Sequence, residues 1–198
     1  MRTTALALIL ALTCGGCLVM SLHPFFSDTN AVYDKSLVGT WVNSSDESVL
    51  TFAESGPLAY HATFLRKEIT SPDGGKKEPG QPGEFEAHIG RINGLLFLDL
   101  YPDKNSWDRL KNEALAVHLA PTHTISRITI KDDVLTVSGL DHDWLKALVA
   151  KNPKAIAHEK VEGAIVLTAS TKALVGFLTK YGSNPKAFPA GDEFHRQK

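Results

Sequence analysis

Three histidines have the side-chain chemistry to attract attention: His88, His118 and His123. His88 lies in the run Gly83 to Tyr101, GEFEAHIGRINGLLFLDLY. A two-residue turn at Asn93-Gly94 would set it opposite Asp99. A carboxylate across from an imidazole orients the ring and fixes its tautomer. The plainer reading is a cross-strand pair contributing up to about 1 kcal/mol, and the residues favour it because exposed ion pairs are common and weak. His118 and His123 flank Pro121. With His88 they would give zinc three ligands and one open position. Nothing in their spacing makes them converge, and His118 points away from the core if Val117 and Leu119 face it. Surface or packing histidines are expected, and no metal.

Other candidate motifs fail on inspection. His158-Glu159-Lys160-Val161-Glu162 has the start of a zinc-protease helix but no second His. Ser183-x-x-Lys186 has the spacing of a Ser-Lys nucleophile, yet it follows a helix stop rather than opening a buried helix. Gly74-Gly75-Lys76-Lys77 lacks the phosphate-loop pattern, and no helix follows it. Asp141-His142-Asp143 reads as helix capping, with negative charge at the positive end of the dipole. No Gly-x-Ser-x-Gly or Gly-x-Gly-x-x-Gly occurs. The chain is therefore read as a non-enzyme without a cofactor. A net charge of −1 offers no electrostatic case for nucleic acid.

The elements that position these residues are mostly strands. In the Gly83–Tyr101 hairpin, Ile92 should face Leu95, Gly90 Phe97, Ile89 Leu98, His88 Asp99 and Glu86 Tyr101. Alternation puts Phe85, Ala87, Ile89, Leu96, Leu98 and Leu100 on a core face, with Arg91 near the turn. Glu84, Glu86, His88, Phe97, Asp99 and Tyr101 form a mixed face that meets solvent or a wet cavity. A second hairpin, His123–Lys131 and Val134–Gly139, turns at Asp132-Asp133 and aligns Ile130 with Leu135, Ile128 with Val137 and Arg127 with Ser138. Strands are also expected over Leu37–Val42, Glu47–Phe52, Leu58–Ile69 and Ala114–Ala120. A last pair, Ile156–Val161 and Ala164–Ala169, turns at Glu162-Gly163.

Asp141 caps a helix to about Lys151, ended by Asn152-Pro153. Ser170 or Thr171 caps a second, in which Leu174, Phe177, Leu178 and Tyr181 share a face and Gly182 is the stop. A turn of helix is expected near Trp107–Lys111. Thr70–Pro82, TSPDGGKKEPGQP, has the composition of a mobile loop. Residues 17–35 form a tether and N-terminal arm, and 188–198 a tail.

The first residues form a targeting segment. Arg2 is the positive n-region, Ala5–Thr13 a short apolar core, and Cys14-Gly15-Gly16-Cys17 follows. This resembles a bacterial lipoprotein signal, which implies cleavage after residue 16 and lipid on Cys17. Cleavage before Cys14, an ordinary secretory signal and an uncleaved anchor remain alternatives. The chain has two cysteines, and both lie here. The domain beyond has no internal disulfide, thiol nucleophile or Cys metal site. Leu18 after the lipidated Cys resembles outer-membrane sorting signals.

Gly39-x-Trp41 opens the β-rich region and resembles the first-strand signature of lipocalins. That resemblance implies a Trp closing the floor of an up-and-down barrel, with a cation from a late strand packed across it; Arg127 and Lys131 are the candidates. The run Gly83–Arg127, with GEFEAH, LFLDLYP and HLAPTH, also resembles a group of bacterial lipoproteins of unassigned function. The resemblance covers much of residues 36–180 and implies no catalytic residues.

The fold class expected is mainly β with two helices: an antiparallel lipocalin-like up-and-down barrel or strongly curved sheet over residues 36–187. The function expected is a membrane-tethered envelope lipoprotein, which the sorting resemblance implies is in the outer membrane and faces the periplasm, binding a small apolar or amphipathic ligand in a hollow interior. Trp41, His88, Phe97, Asp99, Tyr101 and Arg127 are the ligand-binding candidates. The alternative is an assembly lipoprotein acting through envelope protein partners. A hydrolase using His88, His118 or His123 stands behind both.

Overall fold

The computed structural model describes residues 18–70, 77–104, 106 and 118–198. Its strands are β1 (Met20–Ser21), β2 (Ala31–Val32), β3 (Gly39–Asn43), β4 (Val49–Glu54), β5 (Ala59–Leu65), β6 (Glu68–Thr70), β7 (Lys77–Pro79), β8 (Gly83–Ile92), β9 (Leu95–Pro102), β10 (His123–Lys131), β11 (Val134–Gly139), β12 (His158–Val161), β13 (Ala164–Leu167) and β14 (Asp192–Arg196). Among the described residues two longer α-helices, α1 (His142–Lys151) and α2 (Thr171–Tyr181), lie on either side of the β12–β13 pair in sequence.

Local chemistry sets the hairpins. Asn93 and Gly94 both have positive φ, 50° and 78°, as a type I′ turn requires. The β8–β9 pairing has Ile92 opposite Leu95 and His88 opposite Asp99, the register expected. Asp132 and Asp133 turn the β10–β11 hairpin with φ of 51° and 61°, pairing Ile130 with Leu135 and Ile128 with Val137. The helices start where their caps dictate. Asp141 accepts the Trp144 amide, and Ser170 accepts that of Ala173. Each such cap contributes about 1 kcal/mol.

The strands β3, β4, β5, β8, β9, β10, β11 and β14 pair in that order, and β14 pairs back onto β3. The sheet is therefore a closed antiparallel barrel of eight strands, and the open curved sheet is excluded. The tail expected over 188–198 is corrected by this finding. Residues 192–196 are the closing strand, inserted between β11 and β3. DEFHR has only Phe194 as an apolar residue, so its pattern resembles a solvated end; partners on both sides satisfy its backbone. The arm is also part of the sheet. β1 pairs with β10 and β13, and β2 with β8. Part of the expected mobile loop is paired too, as the β6–β7 ribbon. The turn near Trp107–Lys111, and Ala114 to Val117 of the expected strand, lie outside the described residues.

Two cores share the barrel wall. Inside, Leu37, Trp41, Leu50, Phe52, Tyr60, Ala62, Ala87, Ile89, Leu98, Ile128, Leu135 and Phe194 pack together. These inward positions hold side chains instead of a hollow. Outside, Phe97, Ile125 and Phe25 pack with α1, α2, β13 and Phe188 in a second core. The face expected to meet solvent or a wet cavity is covered in part: Phe97 and Asp99 are fully buried, while Glu86 is exposed.

One end of the barrel is plugged. The Arg196 guanidinium lies 4.1 Å from the Trp41 ring centroid. Its Nη1 donates to the Val38 carbonyl at 2.8 Å, Nη2 to Ser36, and Nε to Asp133 at 2.9 Å. Trp41 Nε1 donates to the Leu37 carbonyl at 2.8 Å. Arg196 is the cation over the Trp, which corrects the expectation of Arg127 or Lys131. Gly39 makes the closure possible. It has φ of 131°, and a Cβ there would stand 2.7 Å from Arg196 Nη1. Gly39→Ala is expected to destabilise the fold by about 2 kcal/mol, through backbone strain and a displaced guanidinium. Urea denaturation of the variant beside wild type measures this, and an unchanged midpoint would contradict the closure described.

Candidate functional site

The sequence-based candidates do not form one site. Trp41 lies inside the barrel beneath Arg196. His88, Phe97, Asp99, Tyr101 and Arg127 have the opposite parity and lie on the outer wall. Phe97 packs edge-on against Phe25 and Phe188, with ring centroids 6.0 and 5.5 Å away. Arg127 lies over Phe188 at 5.7 Å and donates to the carbonyls of Gly182 and Phe188 at 3.2 and 2.9 Å. It fastens the segment after α2 to the wall. A shallow pocket of about 200 Å³ opens beside it, lined by Thr129, Thr136, Ser138 and Pro189 among others. Cys17 lies outside the described residues.

The expected His88–Asp99 pair exists in the backbone register only. The His88 ring turns away: Nε2 lies 2.7 Å from Glu86, Nδ1 lies 3.0 Å from the Leu58 carbonyl, and the ring stacks on Phe26 at 4.1 Å. Asp99 instead takes His123. Nδ1 of His123 donates to its Oδ1 at 2.7 Å, and the imidazole stacks on Tyr101 at 4.4 Å. The pairing of Thr124 with Leu100 brings these strands together. Asp99 and His123 stand on strands that are not joined by a tight turn, so no local signal in the chain announced the dyad. Asp99 Oδ2 is buried and has no hydrogen-bond partner. Burial raises the Asp99 pKa; the His123 hydrogen bond and charge, His88 and the Phe25 amide pull in the other direction without cancelling it.

A histidine held on Nδ1 by a buried carboxylate is the arrangement that general-base and metal-ligand histidines use. Here the remaining parts do not assemble. His123 Nε2 has no partner among the described residues, and the side chain is 12% exposed. Ser21 sits opposite His123 in the register, but its hydroxyl is fully buried and donates to the His23 carbonyl at 2.7 Å. No group of three metal-ligating side chains occurs among the described residues. Among the described residues the dyad joins β9 to β10, and the Ser21 hydroxyl beside it is already engaged.

The barrel end opposite the Arg196 plug has a different lining. The register puts Phe64, Gly83, Phe85, Leu100 and Val137 on the inward side there. Phe64, Phe85, Leu100 and Val137 are apolar and only partly buried. The Phe85 ring lies over Gly83, where a Cβ would stand 3.0 Å from it. The sequence placed Phe85 and Leu100 on a core face but gave no means of finding how deeply each is buried. No family model, curated protein or solved structure matches the chain.

The raised Asp99 pKa fixes a sign. A carboxyl that holds its proton more tightly when folded adds stability fully below the unfolded pKa, near 4. That contribution is lost as pH rises through the folded pKa. The stability of wild type relative to Asp99→Asn is therefore expected to fall between acid and neutral pH. Paired denaturation curves across that range would show it, and a difference that grows with pH would contradict the burial argument.

Proposed function

We propose that this is a bacterial envelope lipoprotein, tethered through lipid on Cys17, whose lipocalin-like barrel holds a small apolar or amphipathic molecule at its unplugged end. One observation carries the binding part of this reading. The interior is asymmetric: Arg196, Trp41 and Leu37 close one end, while partly exposed Phe64, Phe85 and Leu100 edge the other. Eight-stranded barrels are wide enough for one small ligand, and apolar linings with few polar groups are what small-molecule sites use. Because the inward positions nearer the plug are filled, the ligand is short and shallowly held. The cation over Trp41 agrees with what the lipocalin resemblance implies. The tether rests on the Cys14-Gly15-Gly16-Cys17 segment.

The filled half of the interior supports a second reading, an assembly lipoprotein acting through contacts with envelope proteins. Binding of a fluorescent amphiphile with a single short alkyl chain separates the two. The first reading expects saturable binding by the full chain. Phe85→Glu should weaken it at least about tenfold, roughly 1.4 kcal/mol, with the thermal midpoint unchanged within a few degrees. Absence of saturable binding in wild type would sink the ligand reading. For the tether, Cys17→Ser should shift the protein from the membrane to the soluble fraction, with loss of incorporated fatty acid. Retention of both would reject Cys17 as the lipid site.

A further inference from the structure

The sheet continues beyond the barrel as β10–β1–β13–β12, and one face of this extension is apolar. Met20 stands beside Val166, which faces Glu159. Ala164 faces Val161, and the same register carried two residues back places Leu18 level with Ala164. Leu18, Met20, Leu22, Ala164, Val166, Val161 and Glu159 therefore share one face, and only Glu159 is charged. The opposite face carries Val19, Ser21, Ile165 and Leu167, all buried against the outer core or beside it. Burial alternates residue by residue along 18–22 in the same sense. Leu18, Leu22 and Val161 are 58%, 43% and 54% exposed.

Water-exposed leucines and valines grouped on one sheet face require an occupant. Chain geometry names it. Leu18 is the residue after Cys17, and consecutive Cα atoms are about 3.8 Å apart. A lipidated Cys17 leaves no linker between bilayer and sheet. We infer that this face, Leu18, Met20 and Leu22 with Ala164, Val166 and Val161, seats against the lipid surface, so that the β12–β13 hairpin is a second membrane contact beside the anchor. The inference rests on the tether proposed above. The seat also sets the barrel's orientation. β1 joins β10 at Thr124, opposite Leu100, which is the unplugged end. That end then stands beside the bilayer, and Arg196 stands away from it. An apolar ligand would pass between membrane and barrel without crossing water.

The experiment uses the full wild-type chain in vesicles of its own host's lipids, doped with a phospholipid carrying a photoreactive group in its acyl chain. Peptide mass spectrometry then reads two things: fatty acid on Cys17, and photolabel along the chain. The control is the peptide holding Leu58, an exposed leucine in the β4–β5 turn near the plugged end. Labelling of residues 161–166 about tenfold or more above that control is expected if the face enters the interface. Equal labelling with lipid present on Cys17 would overturn the seat and leave the tether standing. Strong labelling of 161–166 without lipid on Cys17 would overturn the tether and support the seat.

Discussion

One side chain ties the closing strand to the rest of the barrel. Arg196 sits at the end of the last strand and reaches three separate pieces of the fold: the carbonyls before β3, the Asp133 turn between β10 and β11, and the Trp41 ring. A guanidinium is planar and forked, so it can donate in several directions while stacking on an aromatic face, which an ammonium cannot do. Gly39 leaves the space it needs. An open eight-stranded sheet would present two edges for pairing with other chains. Closure by β14 removes both, and the plug holds the closing strand in register.

The wall built from β8, β9 and β10 is buried on both faces. Its inward residues belong to the barrel core, and its outward residues carry the helices and the N-terminal arm. This explains why Phe97 is fully buried where a hairpin in isolation would expose it. It also explains Asp99. A carboxyl under the arm loses water, and His123 from the neighbouring strand supplies one hydrogen bond in return. The arm is held by packing: Phe25 against Phe97, Phe26 over His88, and Tyr33 stacked on Tyr60 at 5.2 Å. Burying a side chain of that size contributes about 2 kcal/mol, enough to order a short segment with little regular structure.

The two ends of the barrel differ in kind. One is closed by a charge-assisted plug, and the other is edged by partly exposed apolar rings. The sheet extension leaves the barrel beside the second end and continues to the residue that follows Cys17. The binding site and the tether proposed above would then lie on the same side of the protein, an arrangement suited to molecules that prefer a membrane to water.

Much of the fold was legible in the sequence because it is local. Asn93-Gly94 and Asp132-Asp133 impose their turns, and alternation then sets the register of both hairpins. Asp141 and Ser170 mark the helix starts within a residue. Gly39-x-Trp41 pointed to a plugged barrel, and the plug is there. The sequence could not say which cation reaches Trp41, because Arg196 and Trp41 are 155 positions apart and DEFHR has too little apolar character to declare a strand. It could not say that helices cover the outer face of β9, so alternation alone sets His88 and Asp99 as a facing pair on a face that meets solvent or a wet cavity. Hairpin turns and caps are decided by a few neighbouring residues. Which strand closes the barrel, which face is covered and which histidine meets Asp99 are decided by pairing between distant segments, and only the folded chain brings those together.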